Sequence, residues 1–296
     1  MKILVTGLLP YESGKTWFVV SMVDIFKDIG FSPGYFKPVG GHSGWYQLDT
    51  LIHSMELGVL VGHDAYVVAE KLGLLDLVDV ISPLDIMTFP IDPFKEGVST
   101  RMYIDMMSST NKISLITRLT NVWENDGGFE RVHTYIVARD TYEKLPDTLR
   151  ESVDVLLEKL RKPNTVFIEA NTTFIEKVLE NPSTYESIDH ILELLANKHN
   201  PLIIEGYNDV AAPTPASLSI DIAVVITPGK VAIYRGQRYR QAVELLAIGG
   251  RPWTVTVSKV FDILGKPLRV FDIPLMISDK YRKLMEEVVE FITRLQ

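Results

Sequence analysis

Gly14-Lys15-Thr16 is the triplet whose residue types and spacing point most directly to chemistry. It closes the run Leu4-Val5-Thr6-Gly7-Leu8-Leu9-Pro10-Tyr11-Glu12-Ser13-Gly14-Lys15-Thr16, which reads as a short apolar strand, a loop and the start of a helix. Successive N–H groups of such a loop, with the helix N-terminus behind them, can cradle phosphate oxygens. A lysine at this place reaches the β- and γ-phosphates, and the threonine hydroxyl takes a position on Mg²⁺. The ending is that of a P-loop with altered spacing: six residues separate Gly7 from Gly14 instead of the usual ~4, and Leu9 stands where glycine is common. The candidate nucleotide-binding residues are Gly7, Glu12, Ser13, Gly14, Lys15, Thr16 and Trp17.

Two further positions could complete such a site. Glu205 ends the apolar run Leu202-Ile203-Ile204-Glu205-Gly206. In open α/β sheets ligands sit outside the carboxyl ends of the strands, and an acid there can hold Mg²⁺ or orient a nucleophile. Phe36-Lys37-Pro38-Val39-Gly40-Gly41 delivers a lysine to a strand exit that proline makes rigid, and its glycines would allow close approach of backbone to ligand. Lys37 there would bind a carboxylate or a transferring phosphoryl group. The candidate catalytic residues are Lys15, Lys37 and Glu205.

The elements that must position these residues alternate for most of the chain. Residues 2–6 read as a strand, 15–29 as a helix stopped by Gly30, 34–38 as a second strand, and 48–57 and 64–75 as helices. Residues 81–94, rich in proline, read as an extended surface segment. Three strand-like runs follow at 100–107, 113–120 and 132–139, separated by the turn-formers Ser108-Ser109-Thr110-Asn111 and Asn125-Asp126-Gly127-Gly128. Beyond them, 147–160 and 188–198 are expected helices and 165–170 a strand. Residues 201–205 and 221–227 are continuous apolar runs, as strands buried on both faces should be. Residues 234–248 read as a helix, 253–257 as a strand and 279–295 as a final amphipathic helix. The expected fold class is α/β, one domain over 1–296 with a doubly wound, mostly parallel sheet of P-loop type and a β-rich insertion at 97–163.

Composition narrows the function classes. The 296 residues are 46% hydrophobic and 23% charged, the profile of a folded globular chain. A net charge of −8 disfavours general attraction to nucleic acid or an anionic membrane. The absence of cysteine removes disulfides, thiolate nucleophiles and cysteine-based metal centres. No apolar stretch reaches the ~20 residues needed to span a bilayer, and a cytoplasmic protein is expected. Four glutamines and sixteen prolines hint at a thermophile. The six histidines form no compact metal pair, and no Gly-x-Ser-x-Gly elbow is present. His42 stands out only because it follows the Lys37 loop. Arg235-Gly236-Gln237-Arg238-Tyr239-Arg240 is locally basic and fits either an anionic partner or a solvated helix start.

The three motifs together resemble dethiobiotin synthetase and its relatives, the cobyrinic acid amidases and the amino-terminal P-loop domain of some phosphate acetyltransferases. The matching pieces are Val5-Thr6-Gly7 with Gly14-Lys15-Thr16, Lys37-Pro38-Val39-Gly40-Gly41, and Glu205-Gly206, within residues 1–96 and 200–275. The resemblance implies ATP and Mg²⁺ as cofactors, with Lys15 and Thr16 on phosphate and metal. It also implies Thr16, Asp49 and Glu205 around the metal and Lys37 on the substrate's carbamate and phosphate. The substrate would be a small carboxylate or amine. Related P-loop ATPases commonly pair, so a homodimer is expected. Tyr207-Asn208-Asp209 stands where the family has Ala-Gly-Gly, so the substrate loop differs and biotin synthesis itself is not expected.

Other nucleotide-binding classes fit less well. Residues 8–13 hold no lysine, which argues against the partition-type ATPase mechanism. Ser258-Lys259-Val260-Phe261-Asp262 does not match the guanine-reading Asn-Lys-x-Asp, which favours ATP over GTP. Two alternatives stay open beside an ATP-dependent ligase or amidase. One is a nucleotide-driven switch with a protein partner, and the other is a module that binds nucleotide without turnover.

Overall fold

The computed structural model describes residues 1–10, 13–95, 97–125, 128–274 and 279–295. Its strands, in chain order, are β1 (Lys2–Gly7), β2 (Gly34–Phe36), β3 (Val39–Ser43), β4 (Leu84–Thr88), β5 (Ser114–Asn125), β6 (Gly128–Ala138), β7 (Thr165–Ala170), β8 (Leu202–Glu205), β9 (Ile222–Thr227), β10 (Lys230–Arg235) and β11 (Arg269–Asp272). The fold is α/β with mixed sheets. Five of the nine strand pairings among the described residues are parallel. No helix among them is long and apolar enough to cross a membrane.

The chain forms two compact units. The first comprises Met1–Pro38, Val67–Leu75 and Tyr185–Gln296, and the second Val39–Tyr66 and Asp76–Thr184. This differs from the expected single domain with an excursion at 97–163.

In the first unit the strand order is β11-β10-β9-β1-β8-β2. Strands β9, β1, β8 and β2 run parallel, and β10 and β11 turn back antiparallel. Ile3, Leu4, Val5, Leu202, Ile203, Ile204, Val224 and Val225 are all fully buried, which explains their unbroken apolar runs. The Lys15–Asp28 helix buries Phe18, Val19, Met22, Val23 and Phe26, a stripe at 3–4 residue spacing, and packs on β1 and β8. A Schellman turn ends it: Gly30 N–H donates to the Lys27 carbonyl and Phe31 N–H to that of Phe26, with Gly30 at φ 87°. The Asp279–Thr293 helix covers that helix through Tyr281, Met285, Val288, Val289 and Ile292.

The second unit holds a five-stranded sheet ordered β3-β4-β5-β6-β7, parallel at both edges and antiparallel around β5. The Leu48–Leu57 and Asp147–Leu160 helices cover one face over Met87, Leu115, Ile116, Tyr135, Leu156 and Leu160. The Thr172–Glu180 helix covers Ile136 and Ala138 through Ile175.

Four sequence expectations change here. Residues Thr100–Met107 form a helix, because Ser99 caps it by accepting from Met102 N–H, and Tyr103, Met106 and Met107 pack at helical spacing around Ile91 and Ile113. The expected three-strand meander is therefore the β5–β6 hairpin, joined by β4 and β7 in a larger sheet. Residues 84–88 are a fully buried strand, not a surface segment, since Pro83 and Pro90 flank β4 without interrupting it. Residues 253–257 are not a strand: Trp253 is held in the core by stacking on Tyr185 at 3.9 Å, and a helix begins at Val257. The helix expected from residue 234 starts at Gly236, because 230–235 are β10.

Candidate functional site

The loop after β1 is shaped by two glycines. Gly14 sits at φ 85°, in the left-handed region, immediately before the helix. Gly7 is required by a close approach: a Cβ there would lie 2.1 Å from Ser13 Oγ and 3.2 Å from Lys15 Nζ. The loop thus folds back over the end of β1, and Lys15 is buried beneath it. Lys15 Nζ donates to Ser13 Oγ at 3.1 Å and to the Asn208 carbonyl at 2.8 Å.

Glu205 is the hub of the site. Register places it there: Val5 pairs with Glu205 across β1 and β8, and Phe36 pairs with Ile204 across β2 and β8, so residue 37 leaves its strand alongside residue 205. Glu205 is fully buried. Its Oε1 accepts from Lys37 Nζ at 2.8 Å and from Thr16 Oγ1 at 3.2 Å, and its Oε2 accepts from Tyr35 OH at 2.8 Å. A buried carboxylate is tolerable because charged and neutral donors meet both of its oxygens.

The loop after β8 is tied down on several sides. Gly206 N–H donates to the Val5 carbonyl at 2.9 Å, Thr6 Oγ1 to the Val210 carbonyl at 2.9 Å, and Tyr239 OH to the Ala211 carbonyl at 2.8 Å. Asn208 turns at φ 45°, and its carbonyl is the one Lys15 meets. Burial, with Asp209 adding to it, pushes the Tyr207 phenol up to about 12, so it stays protonated.

No protein-family model, curated protein or solved structure matches the chain. The chemistry of the site rests on its own geometry.

That geometry suits a hard cation and a phosphate. Thr16 Oγ1 and Glu205 Oε1 are 3.2 Å apart, close to the ~3 Å between neighbouring oxygens around a Mg²⁺ bound at about 2.1 Å. Magnesium sites commonly use one or two carboxylates beside substrate phosphates. Among the described residues no group of three or more acidic or histidine side chains could hold a metal by itself. Two ammonium groups stand beside this oxygen pair: Lys37 on Glu205 itself and Lys15 on the Asn208 carbonyl of the loop that follows it.

Of the residues picked from sequence, Gly7, Ser13, Gly14, Lys15, Thr16, Lys37 and Glu205 come together in the first unit. Glu12 lies outside the described residues. Trp17 is 55% exposed on the helix surface. Asp49 belongs to the second unit, where Asp49 Oδ2 meets His63 Nδ1 at 2.6 Å. Partial burial works against its ionisation, but the His63 contact outweighs that and lowers the Asp49 pKa. His42 is also in the second unit, buried at 3.4 Å from Asp85. Gly40 is part of β3, and the atom it makes room for is Asp85 Oδ1, 2.5 Å from where a Cβ would lie. Tyr35 and the Asn208 carbonyl were not singled out in advance as site groups. Tyr35 was discoverable, since it alternates with Lys37 along one extended segment and so shares its side.

Proposed function

We propose that the first unit binds ATP with Mg²⁺ at the carboxyl edge of β1 and β8, and activates a small carboxylate or carbamate by phosphoryl transfer for ligation or amidation. The reading takes the unit as a doubly wound P-loop nucleotide-binding fold. The single observation that carries it is the convergence of Thr16, Lys37 and Tyr35 on one buried carboxylate, Glu205, beside the Gly14-Lys15-Thr16 helix start. The resemblance to dethiobiotin synthetase-like enzymes points the same way.

Each side chain has a task under this reading. Lys15 neutralises the β- and γ-phosphate oxygens from inside the loop. Thr16 and Glu205 hold the metal through oxygen, and Tyr35 keeps the Glu205 carboxylate in its orientation. Lys37 moves its charge between Glu205 and the acceptor or γ-phosphoryl oxygen. Bound Mg-ATP supplies an electrophilic phosphoryl group, and such transfer depends mainly on positioning and charge stabilisation. The substrate is a small carboxylic acid or amine, and the assembly is a homodimer.

Calorimetric titration of the full chain with Mg-ATP tests the reading. Lys15→Ala should weaken binding at least tenfold while the unfolding midpoint stays within a few degrees. Hydrolysis should be slow alone and rise when a small carboxylic acid or amine is added. Equal affinity in parent and variant would remove the phosphate-loop assignment.

A further inference from the structure

A cavity of about 590 Å³ opens in the first unit between the Gly236–Leu246 and Val257–Leu264 helices, and it is separate from the site around Glu205. Arg235 pairs with Ile222 at the beginning of β9, whereas Gly7 pairs with Ile226 near its end. The two places are thus at opposite edges of the sheet, about 13 Å apart along the strand.

The lining is unusual for an acidic chain. Arg235 and Arg238 both face the cavity, and neither has an acidic partner within 4.0 Å among the described residues. Arg240 on the same helix pairs with Glu244 at 3.6 Å, and Arg269, Arg282 and Arg294 also have carboxylates. The Gly236–Leu246 helix begins with no side-chain cap and no acid in its first turn. Arginines therefore lie at the end where the helix dipole is already positive, the reverse of the stabilising arrangement. Arg238 is compensated by the carbonyl end of the Val257–Leu264 helix, which leaves Arg235 as the exposed cation without a carboxylate among the described residues.

Arg238 is also held in place. Arg238 Nε donates to the Leu264 carbonyl at 2.5 Å, and a Cβ on Gly265 would lie 2.4 Å from Arg238 Nη2. Gly236 lets the helix start hard against the preceding loop, where a Cβ would stand 1.9 Å from the Ile220 carbonyl oxygen. Gln237 and Gln241 add amide groups to the lining. The other wall is apolar: Leu245 is 77% exposed and Ile263 43% exposed, both at the cavity. Its volume is that of a small-molecule pocket, roughly 300–1,000 Å³.

We propose that this cavity is a second ligand site, for a small amphiphilic anion whose carboxylate or phosphate head meets Arg235 and Arg238 and whose apolar body lies on Leu245 and Ile263. Guanidinium groups match both oxyanion heads through paired N–H donors. The site is independent of the nucleotide reading.

The test is an NMR titration of the full chain with octanoate, octyl phosphate, acetate and inorganic phosphate, following the Ala242 amide and the Leu245 and Ile263 methyls. The octyl compounds should shift these signals and saturate. Acetate and inorganic phosphate should bind at least tenfold more weakly. Arg235→Gln and Leu245→Ser, both at exposed side chains, should each weaken octyl binding at least tenfold, and Lys15→Ala should leave it unchanged. Tighter octanoate assigns a carboxylate head and tighter octyl phosphate a phosphate head, and either supports the site. Inorganic phosphate binding as tightly as octyl phosphate would mean an adventitious ion only. That result, absence of saturation, or indifference to both cavity variants overturns the proposal.

Discussion

Lys37 Nζ and Glu205 Oε1 lie 2.8 Å apart, 168 residues distant in sequence, with 4% and 0% of their side chains exposed. The pair exists because β8 inserts between β1 and β2, so that the ends of two strands from opposite parts of the chain become neighbours. Tyr35 and Thr16 supply the remaining donors to the same carboxylate. The arrangement ties the Lys15–Asp28 helix, the Lys37 exit and the acidic strand end into one unit, and its energetics are open to measurement.

Glu205→Leu is expected to lower the unfolding free energy by about 3–5 kcal/mol, because it removes the carboxylate on which a buried ammonium and two hydroxyls converge. Lys37→Met combined with Glu205→Leu should lose much less than the sum of the single changes, since both charges leave together. Urea denaturation of the four proteins measures the cycle. A single-variant loss below about 1 kcal/mol, the range of exposed pairs, would show that this pair is open to solvent.

Gly7→Ala and Gly30→Ala should separate crowding from backbone strain. At Gly7 a Cβ meets Ser13 Oγ at 2.1 Å and Ser13 Cβ at 2.8 Å, so the loop itself must shift. The expected loss is about 1–3 kcal/mol of stability with at least tenfold in Mg-ATP affinity. At Gly30 nothing lies within 4 Å, and the strain is only that of φ 87°. That change should lose about 1–2 kcal/mol and leave nucleotide affinity unaltered in calorimetry.

His133 gives the second unit a defined acid sensitivity. Arg118 donates to Thr120 Oγ1, which also lies 3.1 Å from His133 Nδ1, and His133 Nε2 is 3.4 Å from Asp79 Oδ2. Burial foremost, then Arg118, Arg131 and Lys162, lowers its pKa from 6.5 to about 3. Because the folded value is the lower one, the unfolded chain takes up the proton first as pH falls. The stabilisation is present in full above pH 6.5 and is lost progressively between 6.5 and 3, with a slope of up to about 1.4 kcal/mol per pH unit. His133→Gln should flatten the fall in unfolding free energy between about pH 6.5 and 5. An identical slope in the variant would assign the sensitivity to other groups.

Arg118 is the fully buried cation of the same network. Its guanidinium donates to the carbonyls of Leu60 at 2.9 Å and Ser82 at 2.7 Å, with a longer contact of 3.5 Å to that of Asp79. A lysine ammonium cannot meet carbonyl acceptors spread around one guanidinium plane. Arg118→Lys is therefore expected to lose about 2–4 kcal/mol, read as faster amide exchange in β4, β5 and β6. Unchanged exchange would show that the carbonyls find other donors.

Much of the first unit was legible in the residues themselves. The strand, glycine loop and helix over residues 2–29 depend on signals a few positions apart, as do the apolar runs at 202–205 and 222–227. Lys15, Thr16, Lys37 and Glu205 could be chosen because lysine after a strand and acid at a strand end are local features. The second unit was harder to read. Met102, Tyr103, Ile104 and Met106 fit an alternating pattern nearly as well as a helical one, and Ser99 with the Ile91–Ile113 cluster decided for the helix. The prolines around β4 looked like a loop because flanking and interrupting positions are indistinguishable until pairing is known.

By itself the sequence determined where strands and helices begin along residues 2–36, and which side chains there carry charge to strand ends. Those outcomes follow from φ preferences, helix stops and apolar periodicity, all of which act within a turn or two. Only the tertiary structure decided which carboxylate Lys37 and Tyr35 meet, that Asp49 pairs with His63, and that β5 and β6 belong to a five-stranded sheet. Strand order and register arise from burial of whole faces against distant segments, and no short stretch of chain contains that information.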